Sequence, residues 1–293
     1  EALAEAGFEI LAEGFEPADY DDWRALVEKT LKGADFEKAL GTDTYDGFRL
    51  KPVYMPADAP ALAARPLSGR AGRPAAWDIR QAVTGPTAED AHNQIAEEMS
   101  SGATSILLRL DGALRQGATP QSRQDLVGVS GSALHTPEAF GAALAGVDLR
   151  KTPIGLDAGA AGLAAAKALM AVVGDTGLAP GASLGLDPVS AIAAAGLSGE
   201  AVADWCAAAI GMPAGRGVFW MNAGSGTFYD SGASEAEELG CLLASGVAYL
   251  RGLEAAGLDV ATAAGRITFT LALGQDQFMT IAKARAARIL WAS

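Results

Sequence analysis

Two histidines, His92 and His135, are the first residues to test for acid–base work, because imidazole titrates near neutral pH. His92 lies within an amphipathic helical stretch, where a surface-helix role is expected. His135 precedes Thr136-Pro137-Glu138 at a helix start, where capping or solvent exposure is expected. Carboxylates offer a second route. Asp157 and Asp187 each close an apolar, strand-like run, and a parallel fold brings such strand ends to one rim, where two carboxylates can act as acid and base. The competing role is helix capping, which is favoured here, since Asp187 directly precedes Pro188 at a first helical position. Arg80, Gln81 and Asn222 are read as further strand-end residues and complete the rim candidates. Asn222-Ala223-Gly224-Ser225-Gly226 is able to present backbone N–H groups to an anion, but a plain strand-to-helix loop is the expected role. Ser130-Gly131-Ser132 lacks the strand–turn–helix context of a nucleophile elbow. No metal-ligand spacing is present. Residue types and spacing alone therefore assemble no catalytic constellation, no cofactor site and no metal site.

The elements that must position these residues have a clear rhythm. From Trp77 onward, strand candidates recur at Trp77–Val83, Thr104–Asp111, Pro153–Asp157, Ser183–Asp187, Gly217–Asn222 and Arg266–Leu273. Between them lie helical segments at Ala88–Ser101, Thr136–Ala145, Gly159–Val173, Pro188–Ala195 with Gly199–Ile210, and Ala233–Ala256. The segment at Ala88 has a start signal in Thr87 with Asp90 three residues on, and a stop in Gly102. Strand then helix, repeated, predicts a parallel sheet with right-handed crossovers. No strand leads into a Gly-x-Gly-x-x-Gly turn, and polar residues cap many strands, so a (β/α)8 TIM-type barrel is expected over a doubly wound sheet. About six βα units are visible where closure needs eight, so the barrel is expected to be incomplete.

Residues 1–55 read as a helical and extended arm, 56–76 as a Pro/Ala/Gly/Arg-rich linker, and 77–293 as the partial barrel. Within the arm, Glu1–Leu11 and Asp19–Leu31 have helical spacing, with Trp23, Leu26, Val27 and Leu31 on one face of the second. Composition narrows the function classes. Half of the 293 residues are apolar, with 36 glycines and few aromatics, which suits close helix-on-sheet packing. A net charge of −13 argues against nucleic acid or an anionic membrane as the main partner. The two cysteines, Cys206 and Cys241, lie in helical stretches without metal-type neighbours, so a reducing, cytoplasmic setting is expected.

Four stretches carry a family resemblance. Trp77-Asp78-Ile79-Arg80-Gln81 follows Arg73-Pro74, and Ser231-Gly232-Ala233-Ser234 leads through residues 235–246 to Ala248-Tyr249-Leu250-Arg251. Arg266-Ile267-Thr268-Phe269 is then followed by the stretch from Ile281 to Ala292. In this order they resemble the acyl-CoA-binding barrel of the methylmalonyl-CoA mutase family. The Trp23 helix, Leu31-Lys32-Gly33 and Thr44-Tyr45-Asp46-Gly47 are similar to its leader.

The resemblance implies an adenosylcobalamin-dependent interconversion of methylmalonyl-CoA and succinyl-CoA. Catalytic members carry a Tyr before the Arg-Pro-Trp stretch and a Tyr-His pair before the Ala-Gly-Ala-Thr segment. Here the first place falls near Gly72 and the second at Gly226-Thr227. Asp90-Ala91-His92 begins like the family's cobalamin-ligand loop, but Ile95 stands where that loop needs Gly. Leu107, Leu108, Phe219, Trp220 and Met221 are bulky where pantetheine would need small side chains along the barrel axis. The chain is therefore similar to the non-catalytic small subunit, which pairs with a catalytic large subunit as a heterodimer. On that resemblance the cofactor belongs to the complex, none is expected on this chain, and the last two βα units and a cobalamin domain are expected beyond residue 293. Two alternatives remain: an active acyl-CoA mutase using rim residues such as Arg80, Asp157 and Asn222, and a barrel that binds an acyl-CoA by itself.

Overall fold

The computed structural model describes residues 19–58, 78–212 and 215–293, in two compact units spanning 1–65 and 66–293. Glu1–Leu11 and most of the expected linker lie outside the described residues.

The first unit contains helices α1 (Tyr20–Leu31) and α2 (Phe36–Leu40) and an antiparallel pair, β1 (Thr42–Asp43) and β2 (Arg49–Leu50). Asp19 caps α1 by accepting from the Asp22 N–H at 2.9 Å, and left-handed Lys32 ends it. The apolar face is as expected, but none of its residues is fully buried, and Trp23 makes an edge contact with Phe36 at 6.0 Å.

In the second unit six strands lie in sequential order: β3 (Arg80–Val83), β4 (Ser105–Arg109), β5 (Ile154–Asp157), β6 (Ser183–Leu186), β7 (Phe219–Gly224) and β8 (Ile267–Thr270). Every neighbouring pair is parallel. Sequential parallel order with intervening helices is the topology of an incomplete β/α barrel, as the sequence predicts. The helices are α3 (Ala88–Ser100), α4 (Gly112–Arg115), α5 (Pro137–Ala143), α6 (Gly162–Val173), α7 (Pro188–Ala195), α8 (Ala201–Ile210), α9 (Gly226–Asp230), α10 (Glu235–Ala255), α11 (Val260–Ala264) and α12 (Gln277–Trp291). Capping boxes open α3 at Thr87/Asp90 and α10 at Ser234/Glu237. The sequence does not announce the short helices α4, α9 and α11, whose four or five residues are too few to show a period.

Alternation gives each strand a covered and an open face. Ile106, Leu108, Ile154 and Leu156 pack with Ala91 and Ile95 of α3, Phe140 of α5 and Leu169 of α6. Burying each such side chain contributes roughly 1.5–3 kcal/mol. The other face carries Arg80, Ser105, Leu107, Arg109, Gly155 and Asp157, and several of these retain exposed surface. In β6 the register shifts between Ser183 and Leu186. Gly185 sits at the shift with φ +62°, and an added Cβ would lie 1.9 Å from the Leu156 carbonyl oxygen. Only glycine fits this bulge, which sets the exit of the chain toward Asp187.

Candidate functional site

The carboxyl ends of the strands form the rim on which a barrel places its chemistry. Asp187 follows β6 there and caps α7, accepting from the Ser190 N–H at 3.1 Å. It also accepts from the Gly224 N–H at 2.9 Å and from the Tyr249 hydroxyl. The Tyr249 oxygen in turn accepts from the Val189 N–H at 3.1 Å. Desolvation pushes the Asp187 carboxyl above its ordinary range, against the hydrogen bonds from Tyr249, Ser190 and Gly224. Burial, and the charge of Asp187, likewise push the Tyr249 hydroxyl upward. Capping describes Asp187, but its grip extends to two further elements.

Asp157 departs from the capping expectation. The turn that follows, residues 159–161, receives no side-chain cap, and Asp157 instead faces its cross-strand partner Arg109 at 3.5 Å. Both are more than a third exposed, so the pair is a solvated one of small energetic weight. Asp157 and Asp187 are thus engaged with different partners rather than with each other.

The expectations for His135 are corrected. Thr136 caps α5, accepting from the Ala139 N–H, while the His135 Nε2 lies 2.9 Å from Asp111 Oδ2. Asp111 is fully buried and also accepts from the N–H groups of Leu114 and Gly128, each at 3.0 Å. It therefore fastens the long connection between β4 and α5 to the rim. His92 is a half-buried residue of α3.

The placement of Arg80 and Gln81 is also corrected, because β3 opens at Arg80 rather than closing there. Arg80 works at the amino ends of the strands. Its guanidinium donates to Ser105 Oγ at 3.0 Å, to the Gly181 carbonyl at 2.7 Å and to Asp78 at 3.2 Å. It crosses above Gly155, where an added Cβ would meet Arg80 Nη1 and Leu107 Cδ1 at 3.1 Å. Gln81 is exposed. Asn222 lies within β7 and accepts from Thr270 Oγ1 at 2.7 Å. The N–H groups of Gly224 and Ser225 are committed to Asp187 and to the Thr270 carbonyl. Of the bulky strand residues, Leu107 lies on the open face, Leu108 is fully buried on the helix side, and Trp220 lies under the Arg266 guanidinium at 4.6 Å.

One rim cluster escapes the sequence reading. Glu238 of α10, fully buried, accepts from Ser225 Oγ and from the Ala272 N–H at 3.1 Å, and it pairs with Lys283 of α12. Lys283 also pairs with Glu235. The available signal was Ser234 with Glu237, which marks a helix start but says nothing of the inward Glu238. Among the described residues no group of three or more His, Cys, Asp or Glu is placed to hold a metal ion. Among them, too, no helix is long and apolar enough to cross a membrane.

Six sequential parallel strands, helices on one face and a polar carboxyl rim define the β/α-barrel class. The chain belongs to the methylmalonyl-CoA mutase family, whose sequence profile, described as "Methylmalonyl-CoA mutase", matches residues 43–186 and 212–293. It is 32% identical to the methylmalonyl-CoA mutase small subunit of Streptomyces virginiae, over 99% of this chain and 47% of that protein. It is 30% identical to the small subunit of Propionibacterium freudenreichii subsp. shermanii, over 96% of this chain and 44% of that protein. A shorter stretch, 22% of this chain and 9% of the relative, is 51% identical to the S. virginiae large subunit. The chain thus spans less than half the length of the small subunits it matches.

Proposed function

We propose that this chain is the barrel portion of a mutase small subunit, which supports a catalytic large subunit and does not itself perform the rearrangement of methylmalonyl-CoA to succinyl-CoA. The observation that carries this is at the rim after β7. Gly226 and Thr227 stand where catalytic members of the family have a Tyr-His pair, so neither position has a titratable group. Gly226 is exposed, and an added Cβ would meet nothing within 4 Å among the described residues, so no side chain packs against that point. Of the rim candidates, Asp187 is engaged in its cap, Asn222 with Thr270 and Asp157 with the exposed Arg109, and buried Asp111 beside them is engaged with His135. The small-subunit names of the relatives support the same role.

Adenosylcobalamin is the cofactor the family implies, and the described residues do not fit it as a ligand set. Asp90 is held in the α3 capping box, His92 is inside the helix, and Ile95 is a core residue with 2% exposure. A loop able to present an imidazole to cobalt has no counterpart there. We accordingly assign the radical chemistry to the large subunit of the heterodimer.

The test is assembly. Light scattering of this chain mixed with a large subunit is expected to give the mass of a one-to-one complex, as the small-subunit role requires. Two unmixed masses at micromolar concentration would overturn the proposal.

A further inference from the structure

The last helix is attached to the barrel differently from the others. Among the residues of α12, Lys283 and Ala287 are the buried ones, whereas Phe278 and Ile281 are 83% and 48% exposed. The apolar cluster beneath it, built on Leu239, Leu242 and Ala287, is small and distinct from the main core, with Phe269 packed against both. Phe269 and Trp291 add one edge contact at 4.6 Å. Against this modest apolar grip stands an ionic one. Lys283 is 3% exposed, pairs with Glu238 and Glu235, and has its ammonium 5.5 Å from the Tyr229 ring. Glu238 is also the acceptor for Ser225, just past β7, and for Ala272, just past β8.

One buried carboxylate therefore joins four segments: the end of β7, the entry to α12, α10 and α12. A segment with few buried apolar contacts opens locally at a lower cost than the core. A buried charge that loses its partner favours the open, hydrated state. We propose that Lys283 and Glu238 form a latch holding residues 271–293 closed on the barrel, and that this segment opens as one unit, separately from the β3–β7 core, when the latch is broken. Because Ser225 and Ala272 hang on the same carboxylate, opening also frees the rim loops that follow β7 and β8. The latch stands on this geometry whether or not the chain serves as a small subunit.

Hydrogen exchange of the whole chain, read by mass spectrometry, tests the latch. In Lys283→Met the amides of residues 277–291 are expected to exchange at least about tenfold faster, while those of 105–109 and 154–157 keep their wild-type rates. A double variant, Glu238→Gln with Lys283→Met, removes the fully buried unpaired charge, leaving unpaired only Glu235, which keeps contact with water, and is expected to regain most of the protection. Unchanged exchange in α12, acceleration spread through the sheet, loss of the fold in Lys283→Met, or a double variant as open as the single one would each overturn the proposal.

Discussion

The Tyr249 hydroxyl donates a hydrogen bond to Asp187, joining helix α10 to the turn that leaves β6. The same carboxylate holds the Gly224 N–H at the end of β7 and the first turn of α7. A strand-end aspartate that could have served catalysis is, in this molecule, the knot between three elements.

Tyr249→Phe removes the donor from a fully buried side chain and leaves the partly buried Val189 N–H without its acceptor. The expected cost is about 1–3 kcal/mol, seen as a lower urea midpoint with unchanged slope. An unchanged midpoint would mean that Asp187 is held adequately without α10.

The raised Asp187 carboxyl also fixes the sign of a pH effect. A folded-state value above the unfolded one means that the folded chain binds more protons in the interval between them. The contribution of Asp187 to stability is therefore fully present below the ordinary carboxylate range and is lost as pH rises through the raised value. Asp187→Asn removes this dependence, so the stability of wild type relative to Asp187→Asn is expected to fall as pH rises from that range. Urea unfolding at several pH values checks it, and a difference that grows with pH would contradict the assignment.

Much of this fold is legible in the sequence because strand and helix periods are strong between Arg80 and Ala255. The parallel order, the α3 capping box and the cap at Asp187 all follow from local patterns. What is not legible depends on contacts between distant residues. Arg80 was placed at the wrong end of its strand because the apolar run before it, around Trp77 and Ile79, looks as strand-like as the run after it. His135 looked like a helix-start residue because its partner Asp111 lies 24 positions away. Lys283 gives no local sign of its burial, because its partner Glu238 lies 45 positions away.

Gly185 and Gly226 offer a contrast between two rim glycines. Gly185→Ala places a methyl against the Leu156 carbonyl at a left-handed φ, and is expected to cost more than about 3 kcal/mol or to prevent folding. Gly226→Ala meets open space in a helical turn and is expected to change stability by less than about 1 kcal/mol. Thermal unfolding of the two variants separates these outcomes, and equal losses would contradict the bulge.

Asp111→Ala leaves the N–H groups of Leu114 and Gly128 and the His135 ring without their shared acceptor. A loss of about 1–3 kcal/mol is expected. Because Asp111 anchors the connection between β4 and α5, hydrogen exchange is expected to rise first in residues 116–135. Exchange that rises in the sheet before it rises in this connection would contradict the anchoring role.

A mutase-family barrel without chemistry of its own yields no turnover. The purified chain, in excess over methylmalonyl-CoA and with adenosylcobalamin added, is expected to form no succinyl-CoA beyond the rate without protein. Formation of succinyl-CoA by this chain alone would contradict the account and move the chemistry to rim residues such as Asp157 and Asn222.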